Sequence, residues 1–221
     1  MSKLVALKIL RRISQSVLRF SERGIMRCRL QECGIGGAAA IHTFTTFDEL
    51  SILYELARRL PRNSFGLEIG SYLGASACFL AVGFKESGGH LFCIDTWQNE
   101  TMPDGLRNTF AVFQQNTRPL AAYLTAIRKR SSEVQTADVK ANLSLVFIDG
   151  DHSYESVKAD CEVIAPWLVP EAVVAFHDCI EYRGVARMVG ELLSEGNWKI
   201  RGQRQNLIWL QRTQSWLGSS S

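Results

Sequence analysis

The residues of this chain that could do chemistry stand where predicted strands end. Asp149 closes an almost wholly apolar run and is followed by Asp151 and His152, while His177 and Asp178 close the next such run. Adjacent strands of a parallel sheet lie about 5 Å apart, so we expect these side chains to converge. Two or three carboxylate oxygens and an imidazole suit a divalent cation such as Mg²⁺ or Mn²⁺. We therefore predict a metal site formed by Asp149, His177 and Asp178. Without a cation, a proton must sit among these acids.

A glycine-bearing turn and another acid precede this group. The turn at 68–76 links an apolar run to a helix of small residues. Gly70 lets the chain turn sharply, and Gly74 lets the backbone approach a ligand closely. The helix start beyond offers free N–H groups to a carboxylate or phosphate. Asp95 ends the second apolar run and is placed to accept both hydroxyls of a ribose. Many tight turns contain two glycines, and Asp95 also fits a helix cap or a surface acid, so both features leave alternatives open.

Apolar runs alternate with helical segments along the chain. Continuous apolar strands separated by helices favour a parallel sheet covered on both faces, and right-handed crossovers make it doubly wound. The ligand crevice of such a sheet lies at the carboxyl ends of its strands. We therefore predict a Rossmann-like α/β fold: a mostly parallel seven-stranded sheet, a terminal antiparallel hairpin and an N-terminal helical extension. The predicted strands are 65–70, 90–95, 123–128, 143–149, 173–177, 198–201 and 207–211, and the predicted helices that separate them are 75–85, 106–116, 154–167 and 184–193.

The chain divides into three predicted parts: an N-terminal helix and linker (1–44), a main domain (45–213) and a C-terminal tail (214–221). The helix is expected over the first 22 residues, followed by a glycine-rich linker. Its first nineteen residues carry basic side chains and no acid. This helix therefore fits a membrane surface, a targeting leader, or packing on the domain or on a second subunit of a homodimer. Thr46 and Glu49 predict a capping box at the first helix of the main domain.

The composition excludes several classes of protein. A length of 221 residues suits one large α/β domain. The net charge of +3 is too small to predict binding of nucleic acid. No run approaches the ~20 apolar residues of a transmembrane span. The six cysteines contain no Cys-x-x-Cys pair, which favours reduced thiols in a cytoplasmic protein. Cys28 and Cys33 could form part of a metal site, but no second pair completes it.

Four segments together resemble a known family. They are Glu68-x-Gly70-x-x-x-Gly74-x-Ser76, Cys93-Ile94-Asp95-Thr96-Trp97, Phe147-Ile148-Asp149-Gly150-Asp151-His152-Ser153-Tyr154 and Val174-Ala175-Phe176-His177-Asp178. The chain is similar, over roughly residues 65–210, to the class I S-adenosylmethionine-dependent methyltransferases. The resemblance is closest to the small-molecule branch that includes the macrocin O-methyltransferases and the methyltransferase domain 24 group. The Ile-Asp-Gly-Asp-His-Ser-Tyr segment is much more specific than the glycines.

The resemblance implies S-adenosyl-L-methionine as the cofactor. It places Glu68 beside the methionine moiety, Asp95 at the ribose and Ser132 near the adenine. The same similarity gives Asp149, His177 and Asp178 the metal positions and gives His152 the position of the family's base. His177 departs from the pattern, which usually has an acid there, and this departure bears on the metal and not on the cofactor. The implied cofactor contacts are Glu68, Gly70, Ser71, Gly74, Ser76, Asp95, Thr96, Trp97, Ser132, Asp149 and His152.

The predicted reaction is transfer of a methyl group to a hydroxyl of a small molecule, by family analogy a sugar or a glycosylated natural product. His152 is the expected base, with Asp149 as the second catalytic residue, and a cation would lower the pKa of the hydroxyl. The segment 97–119 is expected to form part of the acceptor wall or a lid, although its aromatic residues fit an ordinary core equally well. One alternative is a methyltransferase fold that only binds or scaffolds. Another is a nicotinamide-dependent oxidoreductase using the Tyr154 and Lys158 pair, although the glycine turn lacks the full Gly-x-Gly-x-x-Gly set.

Overall fold

The computed structural model describes residues 3–100, 105–139 and 142–213. The predicted tail at 214–221 lies outside the described residues, and the expected domain limits stay predictions. The α-helices are α1 (Lys3–Glu32), α2 (Phe47–Arg58), α3 (Ala75–Ser87), α4 (Phe110–Thr117), α5 (Tyr154–Ile164) and α6 (Arg183–Ser194). The strands are β1 (Phe65–Ile69), β2 (His90–Asp95), β3 (Leu124–Arg128), β4 (Leu143–Ile148), β5 (Leu168–Phe176), β6 (Trp198–Arg204) and β7 (Leu207–Arg212). Short 3₁₀ helices cover Gly36–Ala40, Arg118–Leu120, Ser131–Glu133 and Ala165–Trp167.

The strands form one sheet in the order β3-β2-β1-β4-β5-β7-β6. The first five are parallel to one another, β7 runs antiparallel to β5, and β6 pairs antiparallel with β7. The predicted fold class is confirmed, including the terminal hairpin. Since the chain changes direction across the sheet between β1 and β4, a ligand crevice is expected where these two strands end.

Helices cover the sheet on both faces. On one face, α3 packs between the sheet and α2, and almost every residue of α3 is buried. A Cβ on Gly83 would lie 2.6 Å from the carbonyl oxygen of Tyr54, which explains why this position of α3 is a glycine. On the other face, α5 and α6 contribute Val157, Ile164 and Met188 to a second apolar cluster. This packing fixes the start of α3 and the start of α5 beside the carboxyl ends of β1 and β4.

The N-terminal helix is longer than predicted. It continues to Glu32, and the 3₁₀ helix at Gly36–Ala40 follows, so the expected linker was wrong over most of its length. The physical reason is that Met26 and Leu30, spaced by one helical turn, gain burial in the core. None of the helices in the described part of the chain has the length and apolar character that crossing a membrane requires. The predicted contact of this helix with a membrane surface or a second subunit stays a prediction.

Four other elements with predicted bounds differ by three residues or more at one end. β6 continues to Arg204 instead of residue 201, and α5 ends at Ile164 instead of residue 167. β5 begins at Leu168 instead of residue 173, because Leu168 already pairs with Leu143 of β4. The register then shifts before Val173 pairs with Leu145. Glu171, within that irregularity, has a left-handed φ of 65°. α4 begins at Phe110 instead of residue 106. The hydrophobic period of the sequence does not reveal the irregularity in β5, because a bulge depends on the neighbouring strand.

Backbone hydrogen bonds extend the alignment of the strands into the crevice. The amides of Gly70, Asp149 and His177 each donate to a carbonyl oxygen of a neighbouring strand, at 2.9, 2.9 and 3.1 Å. Gly70 has a φ of +86°, and a Cβ there would overlap the carbonyl oxygen of Asp149. Gly70 is therefore required by the close approach of two strand ends.

We predict that Gly70→Ala lowers the free energy of unfolding by about 3 kcal/mol, since the side chain meets backbone and the φ is unfavourable. Urea unfolding measures the loss. The matched control is Gly190→Ala in α6, where a Cβ meets nothing within 4 Å. The control is expected to stay equal or gain up to about 1 kcal/mol from helix propensity. Equal stability of both variants would contradict the role given to Gly70.

Candidate active site

A cavity of about 530 Å³ opens at the carboxyl edge of the sheet. The segments that follow the five parallel strands line it, together with residues 42–44, which precede α2. The structure brings most of the predicted cofactor contacts into this one cavity, and those that line it are Gly70, Ser71, Ser76, Asp95, Thr96, Ser132, Asp149 and His152.

Asp95 holds the turn after β1 against the end of β2. One carboxylate oxygen accepts hydrogen bonds from the amides of Ser71 and Tyr72, at 2.9 and 2.8 Å. The other oxygen accepts from the amide of Trp97 at 2.6 Å. A carboxylate offers about four acceptor sites, so Asp95 keeps capacity for a ligand hydroxyl while it fixes both loops.

Glu68 lies beneath the cavity and does not line it. Its side chain is fully buried, and the hydroxyl of Ser71 donates to one carboxylate oxygen at 2.6 Å. Burial raises the pKa of Glu68 to about 7 against the opposing hydrogen bonds, and the charge of Asp149 adds to the rise. A positive charge bound above this carboxyl would favour its ionised form.

His177 lies behind the lining, with its imidazole enclosed by carboxylates. Nδ1 is 3.2 Å from Asp149 Oδ1 and 3.4 Å from Asp178 Oδ1, and Nε2 is 3.6 Å from Glu49 Oε2. These contacts are ion pairs and not well-aligned hydrogen bonds. Burial by itself lowers the pKa of His177, but the carboxylates outweigh burial and raise it to about 12. His177 is therefore a buried cation that balances the surrounding acids.

Glu49 ties α2 to the same cluster. The predicted capping box is present: Glu49 Oε2 accepts from the amide of Thr46 at 2.8 Å, and the Thr46 hydroxyl accepts from the amide of Glu49 at 3.4 Å. Glu49 Oε1 accepts from the amide of Asn206, in the turn of the terminal hairpin, at 2.8 Å. Burial favours a neutral Glu49, but His177 and Thr46 outweigh it and lower the pKa of Glu49 to about 2.

His152 faces the cavity between two acids and an aromatic ring. Its Nε2 is 3.2 Å from Asp178 Oδ2 and 3.8 Å from Asp149 Oδ1, and its ring centroid is 4.2 Å from that of Tyr182. Burial favours the neutral imidazole, but the two carboxylates outweigh it and raise the pKa of His152 above the ordinary 6.5. Because Nε2 faces the acids, Nδ1 is the nitrogen left to take a proton.

The lining of the cavity is strongly acidic. Lys129 and Arg130 are the only lysine or arginine side chains among its described residues, and both follow β3. Lys129 is paired with Asp138 and Arg130 with Glu100, each at 2.7 Å. This field favours cationic ligands over anionic ones. The acids that line the cavity are Asp95, Glu100, Asp149, Asp151, Asp160, Asp178 and Glu181.

The sequence model of methyltransferase domain 24 matches residues 67–179, just over half of the chain. The chain belongs to the methyltransferase domain family. The matched region of this methyltransferase domain runs from β1 to just beyond β5, and it contains Asp95, Asp149, His152 and Asp178.

Solved methyltransferases share its fold. An O-methyltransferase from Bacillus cereus, solved in complex with SAH, is 14% identical with a TM-score of 0.61, over 85% of this chain and 91% of that one. NovP, also an O-methyltransferase, is 14% identical with a TM-score of 0.58, over 78% and 83%. CalS11, a TDP-rhamnose 3'-O-methyltransferase of calicheamicin biosynthesis, is 18% identical with a TM-score of 0.56, over 73% and 76%. Family and fold together identify a class I S-adenosylmethionine-dependent methyltransferase domain.

A curated relative shares sequence with part of the chain. Protein y4gI of Sinorhizobium fredii is 32% identical in an alignment of 119 residues that covers 51% of this chain and 13% of that protein. The methyltransferase domain therefore corresponds to a small part of y4gI.

Gly74 and Trp97, two predicted cofactor contacts of the domain, do not line the cavity, and both contribute to packing. Gly74 has a φ of +89°, and a Cβ there would lie 3.0 Å from the ring of Phe113, so the missing side chain makes room for α4. Trp97 is fully buried, with its ring centroid 4.8 Å from Phe110 and 4.7 Å from Phe113. The aromatic residues of the predicted acceptor wall are thus core. Asn99 and Thr109 of that segment do line the cavity, and Met102 lies outside the described residues.

The Tyr154 and Lys158 pair lies outside the cavity. The hydroxyl of Tyr154 donates to Glu191 at 2.6 Å, and its ring lies 3.7 Å beneath the guanidinium of Arg187. Both partners belong to α6. The pair therefore joins α5 to α6 and does not form the active site of an oxidoreductase.

The possible metal ligands differ from the predicted set. Ligand atoms of Asp149, His152 and Asp178 all lie within 4.8 Å of one another, and this is the one such group among the described residues. His177, the third ligand of the predicted set, is not in this group, and its nitrogens lie in ion pairs with Asp149, Asp178 and Glu49 behind the lining. The metal site itself stays a prediction.

Several cavity residues were missed at the level of sequence. His42, Phe44 and Tyr182 line the cavity but lie outside the segments that carry strand-end motifs. Asp160 lines it from α5, and burial raises its pKa to about 6 against a hydrogen bond from Ser131. An acid on the buried face of a helix was a usable signal for Asp160. The ion pair of Glu49 with His177 had no signal in the sequence, which indicated only the capping box.

We predict that Glu49→Gln lowers the free energy of unfolding at pH 6 by about 3 kcal/mol, since it removes one partner of a buried ion pair. The lowered pKa values of Glu49 and Asp149, both about 2, stabilise the fold above pH about 4.5, and this contribution is lost as the pH falls towards 2. The variant lacks the share of Glu49, so its stability should change less between pH 6 and pH 3. Urea unfolding at several pH values measures both effects.

The control for this prediction is Glu32→Gln, which removes an exposed acid 3.4 Å from Arg29. Its effect should stay below about 1 kcal/mol. A Glu49→Gln protein as stable as this control at pH 6 would show that the His177 cluster does not depend on Glu49.

Proposed function

We propose that the chain transfers the methyl group of S-adenosylmethionine to a hydroxyl of a small molecule. The observation that carries this proposal is that one cavity contains both Asp95, the predicted ribose acid, and His152 with its paired carboxylates. The proposed cofactor-binding acid and the proposed base thus face one cavity, in which S-adenosylmethionine and the acceptor would meet. The acceptor class that we carry forward by family resemblance is a sugar or a glycosylated natural product.

The proposed cofactor would extend along the carboxyl edge of the sheet. Ser132, in the loop after β3, would face the adenine, Asp95 the ribose, and Gly70 and Ser71 the methionine moiety. The acidic lining supports this placement, because the cofactor carries a sulfonium and an ammonium group. Glu68, buried beneath the same turn, would gain from ionising when these positive charges arrive.

Methyl transfer needs an in-line approach and the removal of one proton. The acceptor oxygen attacks the methyl carbon opposite the sulfur, the C–O bond forms as the C–S bond breaks, and the products are a methyl ether and S-adenosylhomocysteine. We assign proton removal to Nδ1 of His152. Asp178, 3.2 Å from Nε2, would stabilise the resulting imidazolium.

In a second version of the proposal, the same site binds a divalent cation. The grouping of Asp149, His152 and Asp178 favours this version. Two carboxylates and an imidazole fit Mg²⁺ or Mn²⁺. A cation held there would lower the pKa of the acceptor hydroxyl. It would also exclude His152 from the role of base, since an imidazole that binds metal through Nε2 keeps its proton on Nδ1. Metal analysis of the purified protein, together with methyl transfer in EDTA and in added Mg²⁺ or Mn²⁺, separates the two versions.

We predict that the wild type binds S-adenosylhomocysteine in calorimetric titration and that Asp95→Ala weakens binding at least about tenfold. The variant loses hydrogen bonds to a charged acceptor and loosens the turn at Ser71. Asp48→Ala is the control, because it removes a paired acid outside the cavity and should leave affinity unchanged. Circular dichroism checks that both variants are folded.

The same titration tests the alternatives. Stabilisation by S-adenosylhomocysteine but not by NADP in a thermal-shift assay agrees with methyl transfer. A folded wild-type protein that binds no S-adenosylhomocysteine, with or without Mg²⁺, would refute the proposal and favour a scaffold.

We predict that His152→Ala lowers kcat for methyl transfer by at least about 100-fold while the affinity for S-adenosylhomocysteine changes less than about threefold, since loss of a base acts on chemistry. Transfer of labelled methyl from S-adenosylmethionine to a panel of hydroxyl compounds is the assay. His90→Ala is the control, because His90 contacts Thr125 away from the cavity. An unchanged kcat in the His152 variant would remove it from the mechanism.

A further inference from the structure

The mouth of the cavity carries a group of aromatic rings, here called the aromatic platform: His42, Phe44 and Tyr72. The ring centroid of His42 lies 5.3 Å from that of Phe44 and 6.1 Å from that of Tyr72, and the centroids of Phe44 and Tyr72 lie 6.4 Å apart. All three residues line the cavity. Phe44 is 56% exposed, so a large apolar ring faces solvent at the cavity edge.

A further ring lines the same cavity beside the proposed base. Tyr182 is 45% exposed and packs against His152, with ring centroids 4.2 Å apart and ring planes tilted by 36°. His42, Phe44 and Tyr182 all lie outside the region that matches the family, which ends at residue 179. Most of the rings around the cavity are thus supplied by segments outside the region that matches the family.

The charges around His152 argue against an anionic acceptor. Asp149, Asp151, Asp178 and Glu181 line the cavity there, whereas its described lysine and arginine are on the β3 loop and already paired. Arg107 donates to the hydroxyl of Tyr72 at 3.1 Å, but it is not among the described residues of the lining. Phosphates and carboxylates are usually bound by arginine or lysine, so the His152 side of the cavity lacks the groups that would bind an anion.

We propose that the aromatic platform and Tyr182 select an acceptor that presents the apolar face of a ring, carries a hydroxyl and has no negative charge. This inference rests on the proposed function and names its substrate class. The ring would stack on the aromatic side chains, and its hydroxyl would reach Nδ1 of His152. A phenolic ring and the apolar face of a pyranose share this chemistry, whereas a sugar that carries a diphosphate does not.

The experiment begins with calorimetric titration of S-adenosylhomocysteine into the full chain. The complex is then titrated with catechol and with methyl α-rhamnoside, and in parallel with their anionic counterparts, 3,4-dihydroxybenzoate and TDP-rhamnose. The variants are Phe44→Ala, Phe44→Tyr and the control Phe20→Ala, which removes an exposed ring on α1 outside the cavity.

At least one uncharged probe is expected to bind the complex, and its anionic counterpart should bind at least about tenfold more weakly. Phe44→Ala should weaken the uncharged probe about fivefold without changing the affinity for S-adenosylhomocysteine, Phe44→Tyr should restore binding, and Phe20→Ala should have no effect. These ratios match the modest size of single aromatic contacts.

The inference is overturned if neither uncharged probe binds, if an anionic counterpart binds as well or better, or if Phe44→Ala behaves like Phe20→Ala. Each of these outcomes leaves the proposed function intact, provided that S-adenosylhomocysteine binds. If S-adenosylhomocysteine itself fails to bind, the proposed function fails, and the inference that rests on it fails too. The catechol and rhamnoside titrations separate the two kinds of ring.

Discussion

Three carboxylates, from α2 and from the ends of β4 and β5, meet around the imidazole of His177. The positive charge of that imidazole favours the ionised forms of Glu49 and Asp149, and His152 adds to the effect on Asp149. Burial by itself disfavours ionisation of Glu49 and Asp149, and their pKa values, both lowered to about 2, show that the attraction outweighs that cost. The cluster does more than balance charge. Because Glu49 also accepts from the amide of Asn206, the cluster joins α2, the sheet edge and the terminal hairpin at one point.

The loops of the crevice are held in conformations that they would not adopt alone. Tyr72, Trp97 and Asp178 follow three different strands and have left-handed φ values of 45°, 51° and 58°. Such conformations cost about 1 kcal/mol or more for residues other than glycine. Asp95 accepts from the amides of Tyr72 and Trp97, and the carboxylate of Asp178 pairs with His177 and His152. Buried polar groups therefore shape the crevice before any ligand arrives, which favours precise positioning of two reactants.

The residues that line the cavity come from two parts of the chain, one inside and one outside the region that matches the family. The region that matches the family supplies the strand ends, the acid Asp95 and the base candidate His152. The flanking segments supply His42, Phe44 and Tyr182, which the fold places at the mouth of the same cavity. A cofactor shared by a family demands constant contacts, whereas an acceptor that differs between members is best met by residues outside the shared core. This division explains why the cofactor is much easier to infer than the acceptor.

Local pattern and motif spacing determined much of this protein. Runs of apolar residues specified the strands, the hydrogen-bonding side chains of Thr46 and Glu49 specified a helix start, and Asp95, Asp149 and His152 were assigned to one crevice because parallel strands end at a common edge. Tertiary structure alone decided which of these groups meet. His177 faces Glu49 because α2 packs at the end of β5, a contact across more than a hundred residues that no local pattern encodes. Gly74 and Trp97 serve packing because α4 lies over them, and the rings at the cavity mouth assemble from distant segments. Local hydrogen bonding and hydrophobic period depend on residues that are close in sequence. Charge pairing and side-chain packing depend on neighbours that only folding brings together.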